Sequence, residues 1–393
     1  MHTSDISQSR YYGAMLPAME DYRAAVSEAV ARAFAPPAPF DFPESLAVPI
    51  EDFLAPAIAL SRGGKRTRAL FALAGWQAGA SLSKPALAIT LTSDLPIALG
   101  AALELYQISA LIHDDVIDSA ATRRGVPTAH IAFSRFHQDN ALLGDSTAYG
   151  QKMALLLGDY VLSLAALTLE EGLDAALETT AKGGPRVVAS PGAAAATRRL
   201  FHSMCAEVAF GQFADVHAEF TPLGVADSTA YKSAFSVLYH KAARYSVTVP
   251  TLLGAISAGA HSSVTAELEK ICTPLGEAFQ LRDDALGIFG EPGVTGKPAG
   301  DDISEGKRTV LLALAREKAC AADRAILDSL VGNPLDAKSL AEVRAIMKRS
   351  GTYAHHEELI KEREGTARDL IAASSLRLDI LHHLALQLSG RVR

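Results

Sequence analysis

The segment Ile112-His113-Asp114-Asp115-Val116-Ile117-Asp118 closes a long apolar run. On a helix, Asp114 and Asp118 stand four residues apart and share one face, while Asp115 points about 100° away. Carboxylates packed this densely repel one another unless a cation lies among them. An oxygen-rich cluster of this kind suits Mg²⁺ held jointly with substrate phosphates. Taken alone, the motif reads equally well as a solvated acidic helix end. A second segment, Phe279-Gln280-Leu281-Arg282-Asp283-Asp284, ends another apolar run in paired aspartates. It leads into Gly296-Lys297-Pro298-Ala299-Gly300-Asp301-Asp302 and Gly306-Lys307-Arg308-Thr309. Two acidic clusters facing each other, with lysines between them, would clamp a diphosphate through bridging metal ions.

The cations such a site needs are present. Gly63-Gly64-Lys65-Arg66-Thr67-Arg68 places basic residues directly after two glycines, and Arg123-Arg124-Gly125 follows Asp118 closely. Guanidinium groups grip phosphate oxygens in a fork, and lysine adds a point charge. Each motif taken singly would also pass for solubilising surface charge. The glycine pair is only loosely like a phosphate loop, because the GxxxxGK[ST] spacing is absent. No HExxH or GxSxG occurs, so nothing calls for a zinc protease or a serine nucleophile.

The elements that must position these groups read as helix after helix. Leu46–Leu60, Leu95–Ile117, Thr147–Leu169, Thr197–Ala218 and Ile271–Ile288 each place apolar residues at spacings of three and four. No convincing strand is found, so an all-α domain is expected over the whole of residues 1–393. Residues 1–44 read as an N-terminal helix and a stiff connector holding Pro36, Pro37, Pro39 and Pro43. Residues 173–196, broken by Gly183, Gly184, Pro185, Pro191 and Gly192, are expected to form a mobile loop. Gly290–Gly306 reads as a functional loop. Tyr245–Ala266 carries no formal charge, but its Ser, Thr, Gly and Pro content favours a buried core helix over a membrane span.

Composition bounds the function. There are 37 Lys+Arg against 44 Asp+Glu, a net charge of −7, the wrong balance for a free-standing nucleic-acid binder. A hydrophobic share of 49% is enough for a large core. Cys205, Cys272 and Cys320 lie far apart, without CxxC pairing, as expected of thiols in a reducing compartment. No secretory signal or transmembrane segment is expected, and a cytoplasmic location follows.

With these motifs in order, the sequence resembles the trans-isoprenyl diphosphate synthases, or polyprenyl synthetases, and among them the actinobacterial short-chain enzymes. The resemblance runs from Glu51 to Thr309 through GGKRTR, LYQISALIHDDVIDSAATRRG, YKSAF, FQLRDDALGIFG and GKPAGDDISEGKRT. It implies a single bundle of the isoprenoid synthase type, with about ten or more helices around a central cavity. It also implies a Mg²⁺-dependent condensation of isopentenyl diphosphate with an allylic diphosphate, and a homodimer.

By the same resemblance, Asp114, Asp118 and Asp283 would hold Mg²⁺, with Asp115, Asp284 and Asp301 in support. Arg123, Lys232, Lys297 and Lys307 would hold the allylic diphosphate. Lys65, Arg68, Gln107 and Arg124 would hold isopentenyl diphosphate. Ser233 and Gln280 would line the path of the carbocation, and Gln212 and Asp215 match a GQxxD pattern of looser role. One departure stands out: the family's second cluster is DDxxD, and this chain reads DDALG, with Gly287 in the last place.

In the family the sequence resembles, bulky side chains just below the position of Asp114 stop the product at fifteen carbons or fewer, so the resemblance ties product length to the residues there. Ala110 and Ser109 lie roughly 6 to 7.5 Å down the helix and Tyr106 about 12 Å down. Small residues at the two nearer positions leave the pocket open, with Tyr106 as the next floor. Geranylgeranyl diphosphate is therefore expected, with farnesyl diphosphate second and a longer chain third. A class I terpene cyclase would share the helical fold but would have no use for GGKRTR. A non-catalytic partner subunit should have lost its metal ligands.

Overall fold

The computed structural model describes residues 3–35, 50–80, 94–181, 190–224, 227–290 and 299–390, with side chains of the first helix from Met15 onward. The Pro-rich connector and Lys297 lie outside the described residues. The chain divides into two compact units, Met1–Arg198 with Leu253–Ala260, and Arg199–Leu252 with His261–Arg393.

The first unit contains α1 (Thr3–Ala33), α2 (Ile50–Ser61), α3 (Thr67–Gly79), α4 (Asp94–Ile117), α5 (Ala129–Asp139) and α6 (Ser146–Ala181). Its backbone is the pairing of α4 with α6. Leu99, Leu103, Leu105 and Ile112 of α4 are at most 1% exposed, and burying each such side chain contributes about 1.5–3 kcal/mol. On α6 the facing stripe is built from small residues, including Ala154, Gly158, Ala165 and Gly172. Close approach requires them: a Cβ on Gly158 would lie 2.3 Å from Nε2 of His113, the residue before the first aspartate. Helices α4 and α6 are each long and apolar enough to cross a membrane by length and composition. The apolar window of α4 is 72% buried inside the protein, whereas that of α6 is 33% buried, leaving Leu155, Leu156 and Leu167 exposed.

Two regions differ from expectation. Helix runs on to Ala181 and resumes at Pro191 as α7 (Pro191–Phe220), so the loop anticipated over 173–196 is helical at both ends, and its middle, 182–189, lies outside the described residues. Alanine-rich sequence favours helix wherever Gly and Pro do not intervene. A two-stranded hairpin, β1 (Thr122–Arg123) with β2 (Val126–Pro127), also breaks the all-α pattern. It is too short to show a strand period in sequence.

The second unit holds α8 (Ala230–Val237), a π-helical segment Leu238–Thr248, α10 (Ser262–Phe289), the single turn α11 (Asp301–Ser304), α12 (Val310–Lys318), α13 (Ala321–Leu330), α14 (Ala337–Arg349), α15 (Thr352–Ala373) and α16 (Asp379–Ser389). Between them, α9 (Val249–Ser257) continues the π-helical segment. The uncharged stretch 245–266 is therefore not one helix. It is buried from Tyr245 to Ala255, turns at Gly259 (φ 83°) and re-emerges as the start of α10. Around α10 the core gathers Ala234, Leu238, Ala243, Ala278, Leu281, Val310, Leu314 and Ile360. Arg282 donates two hydrogen bonds from Nη1 to the Glu357 carboxylate on α15, at 2.7 and 2.9 Å. Arg363 of α15 donates to Glu277.

Candidate active site

Helix α4 delivers the first acidic cluster. Asp114 is half-buried and Asp115 is 2% exposed. The backbone N–H of Asp118 still donates to the Asp114 carbonyl, so Asp118 keeps its place on the Asp114 face. The hairpin then reverses through Arg124 (φ 54°) and Gly125 (φ 78°), both in the left-handed region that a two-residue type I′ turn demands. This turn decides what its arginines can reach. Arg123 folds back, donating from Nε to Asp115 at 2.5 Å and from Nη2 to Asp114 at 3.2 Å. Burial works against its charge, but Asp115, Asp114 and Asp118 more than offset this and hold the guanidinium above its ordinary pKa. Arg123, expected to hold the allylic diphosphate, here braces Asp115 and Asp114.

Arg124 is thrown the other way, onto the glycine loop. Its Nη1 lies 3.3 Å from where a Cβ of Gly64 would be, and Gly64 has φ 110°, so a side chain there would be strained and in the way. Burial, and then the charges of Arg123, Arg66 and Arg68, push the Arg124 pKa down, partly countered by Glu104. Lys65 is exposed beside them and Arg68 half-buried. Arg66 is different: 7% exposed, it donates to the Ser27 hydroxyl, the Ser61 carbonyl and the buried Glu104 carboxylate, so it holds the loop. Gln107 is half-buried on the Asp114 face of α4.

The second cluster is built on α10 and its neighbours. Asp284 is buried and accepts a hydrogen bond from Gln280 at 3.0 Å. Burial, then the negative charges of Asp302, Asp283 and Asp215, raise its pKa well above the usual carboxylate range, against the lowering effect of Gln280. Those four aspartates therefore form one electrostatic group. Asp215, 7% exposed on α7, takes a 2.5 Å hydrogen bond from Lys241 Nζ. The Nε2 of Gln212, one turn earlier, is buried with no partner among the described residues. Lys241 sits in the π-helical segment, close against α7: a Cβ on Gly211 would fall 2.7 Å from the Lys241 backbone. π-Helical turns concentrate at functional positions, where they re-aim side chains.

Several expectations shift. Lys232 and Ser233 are exposed on α8, and the lysine brought to Asp215 is Lys241. The carboxylate coupled to Asp284 from the glycine-rich loop is Asp302; Asp301, beside it on α11, is half-buried. Lys307 pairs with Glu305 at 2.6 Å, and Arg308 holds the end of α7 through the Glu219 and Thr221 carbonyls. Among the described residues, no three Asp, Glu, His or Cys side chains close into a metal cage. Mg²⁺ takes only one or two carboxylates and completes its shell with water and phosphate, so open pairs such as Asp114 with Asp118 fit it. The mutual repulsion around Asp284 likewise asks for a cation.

The polyprenyl synthetase family model matches residues 53–349. The chain belongs to the polyprenyl synthetase family. It is therefore a relative of prenyltransferases. It is 30% identical over 286 residues to a short chain isoprenyl diphosphate synthase of Methanothermobacter thermautotrophicus, covering 70% of this chain and 76% of the relative. It is 29% identical over 315 residues to a geranylfarnesyl diphosphate synthase of Aeropyrum pernix, covering 80% and 84%. A crystal structure of geranylgeranyl pyrophosphate synthase from Corynebacterium glutamicum, complexed with isoprenyl diphosphate and magnesium, superposes with a TM-score of 0.78 at 31% identity, covering 94% of this chain and 99% of that one. The all-α fold of this polyprenyl synthetase follows from both its own helices and that likeness.

The three chain-length positions separate once the helix is seen in place. Ala110, four residues before Asp114, is half-buried on the same face. Ser109 lies about 140° round the helix. It is 2% exposed and donates its hydroxyl to the Gly158 carbonyl of α6 at 2.8 Å. Tyr106 is 6% exposed. Of the residues that sequence reasoning missed, Lys241 had one available signal. An acid in a GQxxD pattern needs a basic partner from a neighbouring helix, and Lys241 lies just before the uncharged stretch. The structural role of Arg66 had none.

Proposed function

We propose that this polyprenyl synthetase condenses isopentenyl diphosphate with an allylic diphosphate to give all-trans geranylgeranyl diphosphate, in a Mg²⁺-dependent reaction. The observation that carries this reading is the gathering of Arg124, Arg66 and Arg68 about the Gly63-Gly64 loop. A cyclase acting on one allylic diphosphate has no use for a second, metal-free cationic cradle. In the proposed roles, Lys65, Arg68, Arg124 and Gln107 hold isopentenyl diphosphate. Asp114, Asp118 and Asp283 hold Mg²⁺ with the allylic diphosphate, supported by Asp115, Asp284 and Asp302. Bound Mg²⁺ would neutralise charge on the departing diphosphate.

The protein's own part is positional and electrostatic. Arg123 orients Asp114 and Asp115 through its two hydrogen bonds and offsets their charge. Lys241, held by Asp215, offers an ammonium to the leaving diphosphate, a role we assign to it in place of Lys232. Gln280, fixed by Asp284, presents its amide oxygen toward positive charge. The allylic cation is then attacked by the double bond of isopentenyl diphosphate, and the released diphosphate takes the final proton.

We further propose a homodimer using the exposed apolar residues Phe210, Phe213 and Phe220 of α7. A reducing, cytoplasmic setting agrees with three free thiols, of which Cys205 and Cys272 are pushed up to about 12 by burial.

The deciding experiment incubates the protein and Mg²⁺ with dimethylallyl, geranyl or farnesyl diphosphate, with and without isopentenyl diphosphate, and measures product chain length. A twenty-carbon diphosphate formed only with both substrates is expected. Cyclised hydrocarbon formed from the allylic substrate alone would refute the reading.

A further inference from the structure

Gly287 lies one helical turn beyond Asp283 on α10, so the two positions share a face. That face is not empty above the glycine. A Cβ built on Gly287 would stand 2.6 Å from Oδ2 of Asp302, closer than real side chains approach, and 3.4 Å from its Cγ. The Asp302 carboxylate therefore occupies the volume that any side chain at 287 would need.

The backbone around Asp302 leaves it little choice of position. Gly300 N–H donates to the Gly287 carbonyl at 2.8 Å, tying the start of α11 to the last turns of α10. Gly300 takes φ 94°, under Leu335 and Leu340. On the other side, Ile303 is 1% exposed among Ile288, Leu311 and Met347, and its carbonyl accepts from Gly332 N–H at 2.8 Å. The Asp302 carbonyl accepts from Lys307 N–H at 2.9 Å. With its main chain anchored on both sides, Asp302 is free only in its side-chain torsions. The bare Cα–H of Gly287 is what lets the carboxylate rest over α10.

We propose that Asp302 supplies from α11 the outer carboxylate that position 287 lacks, and that Gly287 is a positioning residue whose missing side chain admits it. The DDALG departure is then a relocation of one carboxylate rather than its loss. This inference rests on the reading that Asp283 takes Mg²⁺ together with diphosphate. Because the obstructing atom is the end of a short side chain, Gly287→Ala should swing Asp302 aside without unfolding the protein.

The test compares the wild type with Gly287→Ala, Asp302→Ala and the double variant Gly287→Asp/Asp302→Ala. Mg²⁺ affinity in the presence of inorganic pyrophosphate is measured by calorimetry, with the melting temperature of each metal-free protein alongside. Loss of a supporting carboxylate weakens metal affinity by about 10-fold or more. Gly287→Ala and Asp302→Ala should each show this weakening, with the melting temperature of Gly287→Ala near that of wild type. The double variant, which returns a carboxylate to position 287, should regain most of the affinity. Wild-type affinity in Gly287→Ala overturns the proposal. So does a folded double variant that binds no better than Asp302→Ala. If the wild type itself shows no pyrophosphate-dependent Mg²⁺ binding, the functional reading falls and this inference with it. Wild-type binding with insensitive variants removes the inference alone.

Discussion

Removing the ammonium of Lys241 should cost this enzyme far more than removing that of Lys232, although both lysines precede small residues on neighbouring helical segments. Lys241 Nζ lies 2.5 Å from Asp215 Oδ2, with the two side chains 23% and 10% exposed. In Lys241→Ala, Asp215 loses its ion-pair partner beside the carboxylates Asp283, Asp284 and Asp302. Breaking a buried ion pair costs about 3–5 kcal/mol, and the partial exposure of Lys241 places the stability loss at about 2–3 kcal/mol. Losing one charged donor to a departing anion costs about 10²–10³-fold in turnover. Lys232 is exposed and forms no ion pair among the described residues, so Lys232→Ala should stay within about twofold of wild type and about 0.5 kcal/mol in stability.

The assay is single-turnover condensation of radiolabelled isopentenyl diphosphate with farnesyl diphosphate, alongside denaturant unfolding. Lys241→Arg should recover part of the rate by restoring charge. A cycle with Asp215→Asn should show coupling of about 1–2 kcal/mol in stability. A larger rate loss in Lys232→Ala than in Lys241→Ala would refute the reasoning.

Three other outcomes can be checked. Ala110→Phe places a ring on the Asp114 face and should shift the main product to fifteen carbons or fewer by chromatography of dephosphorylated products, whereas Ser109→Phe must break the Ser109–Gly158 contact and should chiefly lower stability. His356 is fully buried, neither ring nitrogen has a partner among the described residues, and burial followed by the charges of Arg282 and His355 lowers its pKa from 6.5 to about 4. The unfolded chain therefore takes up a proton that the folded one refuses, so stability should fall by about 3 kcal/mol as pH drops from 6.5 to 4, and His356→Leu should abolish that part of the slope in unfolding titrations. Phe210→Glu with Phe213→Glu should lower the mass measured by sedimentation to that of one chain; an unchanged mass excludes that face from the dimer.

Much of this protein was legible in its residues. Apolar periodicity over long runs specifies helices because each must bury a stripe, and the spacing of Asp114 and Asp118 follows from 3.6 residues per turn whatever the helix packs against. The proposed chemistry of Mg²⁺ and diphosphate likewise rests on residue types, since hard cations and phosphates restrict their partners to carboxylates, lysines and arginines. Local pattern does not say which of several similar residues face one another. Arg123 and Arg124 are adjacent in sequence, yet a two-residue turn sends one to the aspartates and the other to the glycine loop. Lys232 and Lys241 look alike in sequence, and the close approach of the π-helical segment to α7 brings Lys241 to Asp215. Gly287 reads as a lost ligand until α11 is folded back and Asp302 is found above it. Sequence by itself determined which elements and which chemistry this chain could have. Tertiary structure decided which side chains carry it, because partners distant along the chain meet only through packing.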